Sequence, residues 1–162
     1  MDKIFFAINS FRSTLTDTRI HGYTNPRIKP IFAVRKWNIM EEWELEFEWL
    51  RVRHLVKKAF NRDSLPDLNA VLFLIGIQEL GHFQPSYTKE EKQDLMHIAV
   101  CRLLSYDGYY EFAGRDADGW PHYKLSKPIR TRGVEEQEEL LKKKAIQYFD
   151  ELEAENGGLE EE

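Results

Sequence analysis

The chain has 162 residues, 42% of them hydrophobic and 13% aromatic, and a net charge of −5. That is the length of one domain with arms, enough to bury most of its apolar surface without disulfides. Its single cysteine, Cys101, excludes an internal disulfide, and the apolar run Ile4–Ile8 is too short for a signal peptide, so the expectation is a soluble, reduced, cytoplasmic protein.

The charge is unevenly spread. Residues 1–37 carry seven Lys/Arg against two Asp/Glu, whereas residues 133–162 carry three Lys/Arg against eleven Asp/Glu. A basic start and an acidic end can attract each other within a chain or between two copies; the plainer reading is two solvated ends. The acidic tail is residues 156–162.

Residues 1–37 read as a basic, aromatic arm. Ile4–Ile8 suits either a helix or a strand, and Asn25-Pro26 and Lys29-Pro30 are turn or extended signals. Phe5, Phe6, Phe11, Tyr23, Phe32 and Trp37 are more aromatics than a disordered segment usually carries. The arm is therefore expected to lie on the domain or on a partner. Basic residues among aromatics also suit single-stranded nucleic acid, but no stacking motif is present and the whole chain is acidic, so nucleic acid is an unfavoured partner.

Residues 38–155 form the expected domain. Asn38-Ile39-Met40-Glu41 is a helix-capping signal. Glu42 to Trp49 alternates apolar and acidic residues as a strand would, yet Val52, Leu55, Val56, Ala59 and Phe60 follow at helical spacing with no turn residue between. Glutamates first and Arg51, Arg53, Lys57, Lys58 and Arg62 last suit a helix dipole. The expectation is one helix over about 39–62 with two apolar stripes: Trp43, Phe47 and Leu50 on one, and Leu45, Trp49, Val52, Val56 and Phe60 on the other. One stripe can face the core; the second needs the arm, the C-terminal helix or another molecule.

Ser64-Leu65-Pro66-Asp67 starts the next helix, with Ser64 as cap and Pro66 in the first turn. Ala70–Ile77 has no charged residue and Gly81 is a left-handed stop, so about sixteen residues form a buried helix too short to span a membrane. Thr88-Lys89-Glu90-Glu91 is a capping box opening a third helix to about Ser105, antiparallel to the second, with Gly76 allowing close approach. Tyr109–Ala113 and His122–Leu125 flank the turn-rich Gly114–Pro121 and predict a β-hairpin within about 108–127. Asp116 and Asp118 fall short of a calcium loop, because neither the glycine nor the terminal glutamate is correctly spaced. The last helix, about 134–155, carries a stripe of Leu141, Ala145, Tyr148, Phe149 and Leu152. The fold class is α+β, mainly α: four helices with a hairpin between the third and fourth.

Chemistry is sparse. Glu79-Leu80-Gly81-His82 and Asp94-Leu95-Met96-His97 are both carboxylate-x-x-histidine, a spacing that puts two ligands on one helix face. Across two antiparallel helices Glu79, His82, Asp94 and His97, with Glu90, would suit iron, manganese or zinc as a cofactor. The favoured reading is plainer, a capped helix end with one surface histidine, one core-edge histidine and no cofactor, because short motifs match by chance and Gly81 interrupts the first. Cys101 lies one turn from His97, so a thiol–imidazole pair is conceivable. No Gly-rich phosphate loop, GxSxG or CxxC is present. Three helices before a hairpin is also the order of a winged helix, but residues 88–105 are too apolar, and too acidic at their start, for a DNA groove. The expectation is a non-catalytic protein-interaction or scaffold protein, self-associating or a subunit of a larger complex. Its contact residues would be Phe5, Phe6, Phe32, Trp37, Trp43, Phe47 and Trp49. The alternatives are a metal-dependent enzyme using the carboxylate/histidine set and nucleic-acid binding through the arm.

Overall fold

The computed structural model describes residues 40–130 and 133–157. The basic arm with Phe5, Phe6, Phe32 and Trp37 and the acidic tail beyond Gly157 lie outside the described residues. Helices α1 (Glu42–Ala59), α2 (Leu68–Leu80) and α3 (Lys89–Leu104) are followed by a 3-10 turn (Ser105–Asp107), strands β1 (Tyr110–Arg115) and β2 (Pro121–Leu125), and helix α4 (Val134–Gly157). The four helices and the hairpin between the third and fourth are as the sequence predicts.

Residues 42–49 are helical, which settles the ambiguity of their alternating pattern. The cap of α1 is Glu41 rather than Asn38: its side chain bonds the backbone of Glu44, whose carboxylate returns a bond to the Glu41 N–H at 3.2 Å. Helix α1 ends at Ala59, not 62. The cap of α2 likewise shifts from Ser64 to Asp67, whose Oδ1 accepts from the Ala70 N–H at 2.8 Å; Pro66 stands before the cap, and the helix has 13 residues rather than about sixteen. A carboxylate placed directly at the first turn outcompetes a hydroxyl separated from it by a proline. Thr88 and Glu91 form the expected capping box on α3. Gly81 closes α2 with φ 82°, a conformation that costs a side-chain-bearing residue.

Helices α2 and α3 are antiparallel: Val71 and Leu72 share one apolar cluster with Ala99 and Leu103, and Ile77 and Leu80 share the next with Leu95 and Ile98. The larger cluster is completed by Leu45, Trp49, Val52 and Val56 of α1 and by Ala145, Ile146 and Phe149 of α4. Glu46 bonds Lys142 at 3.1 Å, and Arg51 bonds Asp150 and Glu153 further on, so α1 and α4 run in the same direction.

The hairpin covers the open flank of α2 and α3. Tyr110 pairs with Leu125 and Phe112 with Tyr123, a bulge follows Phe112, and Gly114 then pairs with His122. The strands reach Arg115 and begin at Pro121, slightly beyond the predicted ends. Trp120 and Tyr123 pack on the Ile77, Leu80, Leu95 and Ile98 cluster. Arg115 fixes the hairpin in place: its guanidinium donates to the carbonyls of Glu79 (2.7 Å), Leu80 (3.2 Å) and Gly119 (2.7 Å). Those first two are unpaired carbonyls at the negative end of α2, where a cation is favoured.

Candidate functional site

The two carboxylate–histidine motifs do not converge. Gly81 ends α2, so His82 stands exposed in the following loop and not on the face of Glu79. Glu79 turns towards α3 and α4: its Oε1 accepts from the Tyr148 hydroxyl at 2.8 Å, and its Oε2 lies 3.6 Å from Arg102 Nε. The Arg102 guanidinium lies over the Tyr106 ring at 4.6 Å, and the Tyr106 hydroxyl donates to Glu151 at 2.7 Å. Burial, with the Glu79 carboxylate beside it, drives the Tyr148 hydroxyl well above its ordinary pKa. Among the described residues, no group of three or more His, Cys, Asp and Glu is placed to hold a metal ion. The alternative that Glu79, His82, Asp94 and His97 converge is thus corrected: Glu79 belongs to a partly buried hydrogen-bond network that the sequence did not disclose.

Asp94 and His97 line a cleft of about 360 Å³ between α3 and the hairpin, together with Cys101, Asp116, Trp120 and His122. His97 Nε2 lies 3.5 Å from Cys101 Sγ, and the His97 ring meets Tyr110 edge-on at 6.5 Å. The thiol–imidazole pair therefore exists. Burial, however, pushes the Cys101 thiol up to about 11, so it stays protonated at neutral pH and is a poor nucleophile. His122 Nε2 lies 3.0 Å from Asp116 Oδ2, while Asp116 Oδ1 accepts from the backbone N–H groups of Asp118 (3.0 Å) and Trp120 (2.8 Å). The His122 bond and then the Trp120 N–H hold the Asp116 carboxyl below its usual range. Both Asp116 oxygens are thus engaged in shaping the hairpin loop. The one nucleophile-type side chain among the named cleft residues, Cys101, is paired with the other histidine, His97.

The α1 surface is different in kind. Of its two stripes, Leu45, Trp49, Val52 and Val56 are buried, with Trp49 only 4% exposed. Trp49 is therefore a core residue and is removed from the expected contact set. Trp43 and Phe47 remain 71% and 65% exposed, and Leu50, one turn on, 42%. Large apolar side chains at successive turns of one helix make a contiguous exposed strip, unlike the scattered single apolar residues common on surfaces. The Arg51 guanidinium, held by Glu48, Asp150 and Glu153, adds a polar link between α1 and α4.

A second group the sequence reading missed is Lys144. Its side chain is 2% exposed and its Nζ bonds Asp107 Oδ1 at 2.7 Å. The signal was present: Lys144 lies three residues after Leu141 and four before Tyr148, on the apolar stripe itself.

Among the described residues, no helix is long and apolar enough to cross a membrane. Comparison with family models, curated proteins and solved structures finds no match to this chain.

Proposed function

We propose that the chain is a protein–protein interaction subunit of the cytoplasm, working by contact and not by catalysis, either self-associated or as one part of a larger complex. The observation that carries this reading is the exposed Trp43, Phe47 and Leu50 strip on α1. Burying side chains of this size is worth about 1.5–3 kcal/mol each when complete, and buried aromatics are the residues that most often dominate binding at protein interfaces. The strip stands on a helix whose other side is locked into the core, so presenting it costs no rearrangement. A lone cysteine held as a neutral thiol supports both the reducing compartment and the lack of nucleophilic chemistry.

The test is size fractionation of a native cell extract containing the full chain. The protein should elute well above the size of a single 19.3 kDa chain. Phe47→Glu, which changes an exposed residue and should leave the thermal midpoint within a few degrees, should return it to single-chain size. An elution position that Phe47→Glu does not alter would overturn the reading.

A further inference from the structure

Helix α2 carries more apolar surface than the core uses. Val71, Leu72 and Ile75 are buried in the main cluster, whereas Ala70, Phe73 and Leu74 are only half-buried. Ala70, Phe73, Leu74 and Ile77 follow the i, i+3, i+4, i+7 spacing of one helix face. That face is the floor of a cleft of about 430 Å³, a volume within the usual range of small-molecule sites. The loop after α2 supplies a side wall. Tyr87 meets Phe73 and Phe83 edge-on at 5.6 and 6.0 Å, and its hydroxyl accepts from the Gln84 N–H at 3.0 Å. The aromatic wall is thus held in place before any ligand arrives. The rim is basic. Arg62 and Lys92, both exposed, border the cleft, and among the described residues no acidic side chain lines it. Neither cation forms an ion pair with another described residue. Glu91, the neighbour of Lys92, has a carboxylate oxygen turned to the Thr88 N–H at 2.7 Å. On a chain of net charge −5, two such cations beside an apolar cleft favour an anionic guest.

We infer that this cleft binds a small amphipathic carboxylate. Its aromatic or aliphatic body lies on Phe73 and Leu74 against Phe83 and Tyr87, and its carboxylate is drawn to the rim of Arg62 and Lys92. The choice of carboxylate over phosphate follows from the start of α3. There the capping box already engages the Thr88 and Glu91 N–H groups, two of the backbone donors that a phosphate would use. The cleft shares no residue with the Trp43, Phe47 and Leu50 strip, so the site goes beyond the association reading and does not depend on it.

The experiment is an amide NMR titration of the purified full chain with 2-naphthoate. 2-Naphthamide and 2-naphthylmethylamine serve as neutral and cationic heads on the same body. Wild type should bind 2-naphthoate with a dissociation constant of about 1 mM or below, the range for a ligand of this size. The shifts should cluster in residues 70–77 and 83–92, which build the cleft. The amide should bind about fivefold more weakly and the amine more weakly still. The double variant Arg62→Gln, Lys92→Gln changes two exposed side chains and leaves the apolar floor intact. It should bring 2-naphthoate to within about twofold of 2-naphthamide, with 2-naphthamide binding unchanged. Added salt should weaken 2-naphthoate and leave the amide as it was. No saturable shift, shifts outside the cleft, equal affinity for the three heads, or a preference that survives the double variant would each overturn the inference. So would 2-naphthoate binding that appears only after Glu160, Glu161 and Glu162 are each changed to Gln, since the chain's own acidic end would then be the occupant.

Discussion

Gly76 of α2 lies against Leu95 of α3 so closely that a Cβ built on the glycine would stand 2.1 Å from the Leu95 carbonyl oxygen. Backbone, not a movable side-chain end, occupies that space. Alanine gains about 1 kcal/mol over glycine in an exposed helix, but overpacking a core costs about 1–3 kcal/mol or more, and here both helices must separate. Gly76→Ala is expected to lose about 2 kcal/mol or more and to lower the thermal midpoint by about 5 °C or more. Calorimetry checks this, and an unchanged midpoint would mean the helices part without cost.

Beside the packing of Trp120 and Tyr123, the Arg115 guanidinium ties the hairpin to the end of α2. Arg115→Ala removes the bonds to the Glu79 and Leu80 carbonyls and is expected to cost about 1–3 kcal/mol. Arg115→Lys should recover little, since one ammonium cannot reproduce a fork that spans the α2 end and Gly119. Hydrogen exchange should locate the loss in residues 110–125 and not in α1 or α4.

Lys144 and Asp107 form a pair in which the cation is the buried member. Asp107→Ala leaves that ammonium without its partner and is expected to destabilise by about 3–5 kcal/mol. Lys144→Met leaves only a partly exposed carboxylate behind and should cost clearly less. The double variant should be more stable than Asp107→Ala alone, and urea titration of all three would decide it.

Alkali should unfold this protein from a defined pH upward. Burial raises the Cys101 thiol from 9.0 to about 11, and Tyr123 to about 12 with Glu79 adding to the effect; Tyr106 and Tyr148 are raised as well. Each of these groups is more easily ionised in the unfolded chain. Below pH 9 both states hold these protons and nothing is lost. Above it the unfolded chain releases them first, so stability falls across roughly pH 9 to 11 for the thiol and further for the tyrosines. Denaturant midpoints measured from pH 7 to 11 should decline only in the upper part of that range. Alkylation of Cys101 at pH 8 should be slow in the folded protein and become rapid in urea.

The order of elements and most of their ends could be read from the sequence alone, because the interactions that set them span only a few residues. The Thr88–Glu91 capping box, the left-handed Gly81 and the turn run from Gly114 to Pro121 are of that kind, and so is the need for a small residue at Gly76. Misplaced caps, Asn38 for Glu41 and Ser64 for Asp67, are errors of a few residues between neighbouring candidates with similar chemistry. Tertiary structure alone decided which apolar stripe of α1 is core and which is surface. The stripe through Trp49 packs against Ala145, Ile146 and Phe149 of α4, brought from the other end of the described chain, while the stripe through Trp43 meets solvent. The same holds for the candidate chemistry. Glu79 and His82 share a motif only while the helix is imagined to continue; once Gly81 stops it, Tyr148 and Arg102 claim the carboxylate. Local hydrogen bonds and backbone preferences act within a turn and leave their mark in the sequence. A partner brought from another helix leaves none until the chain has packed.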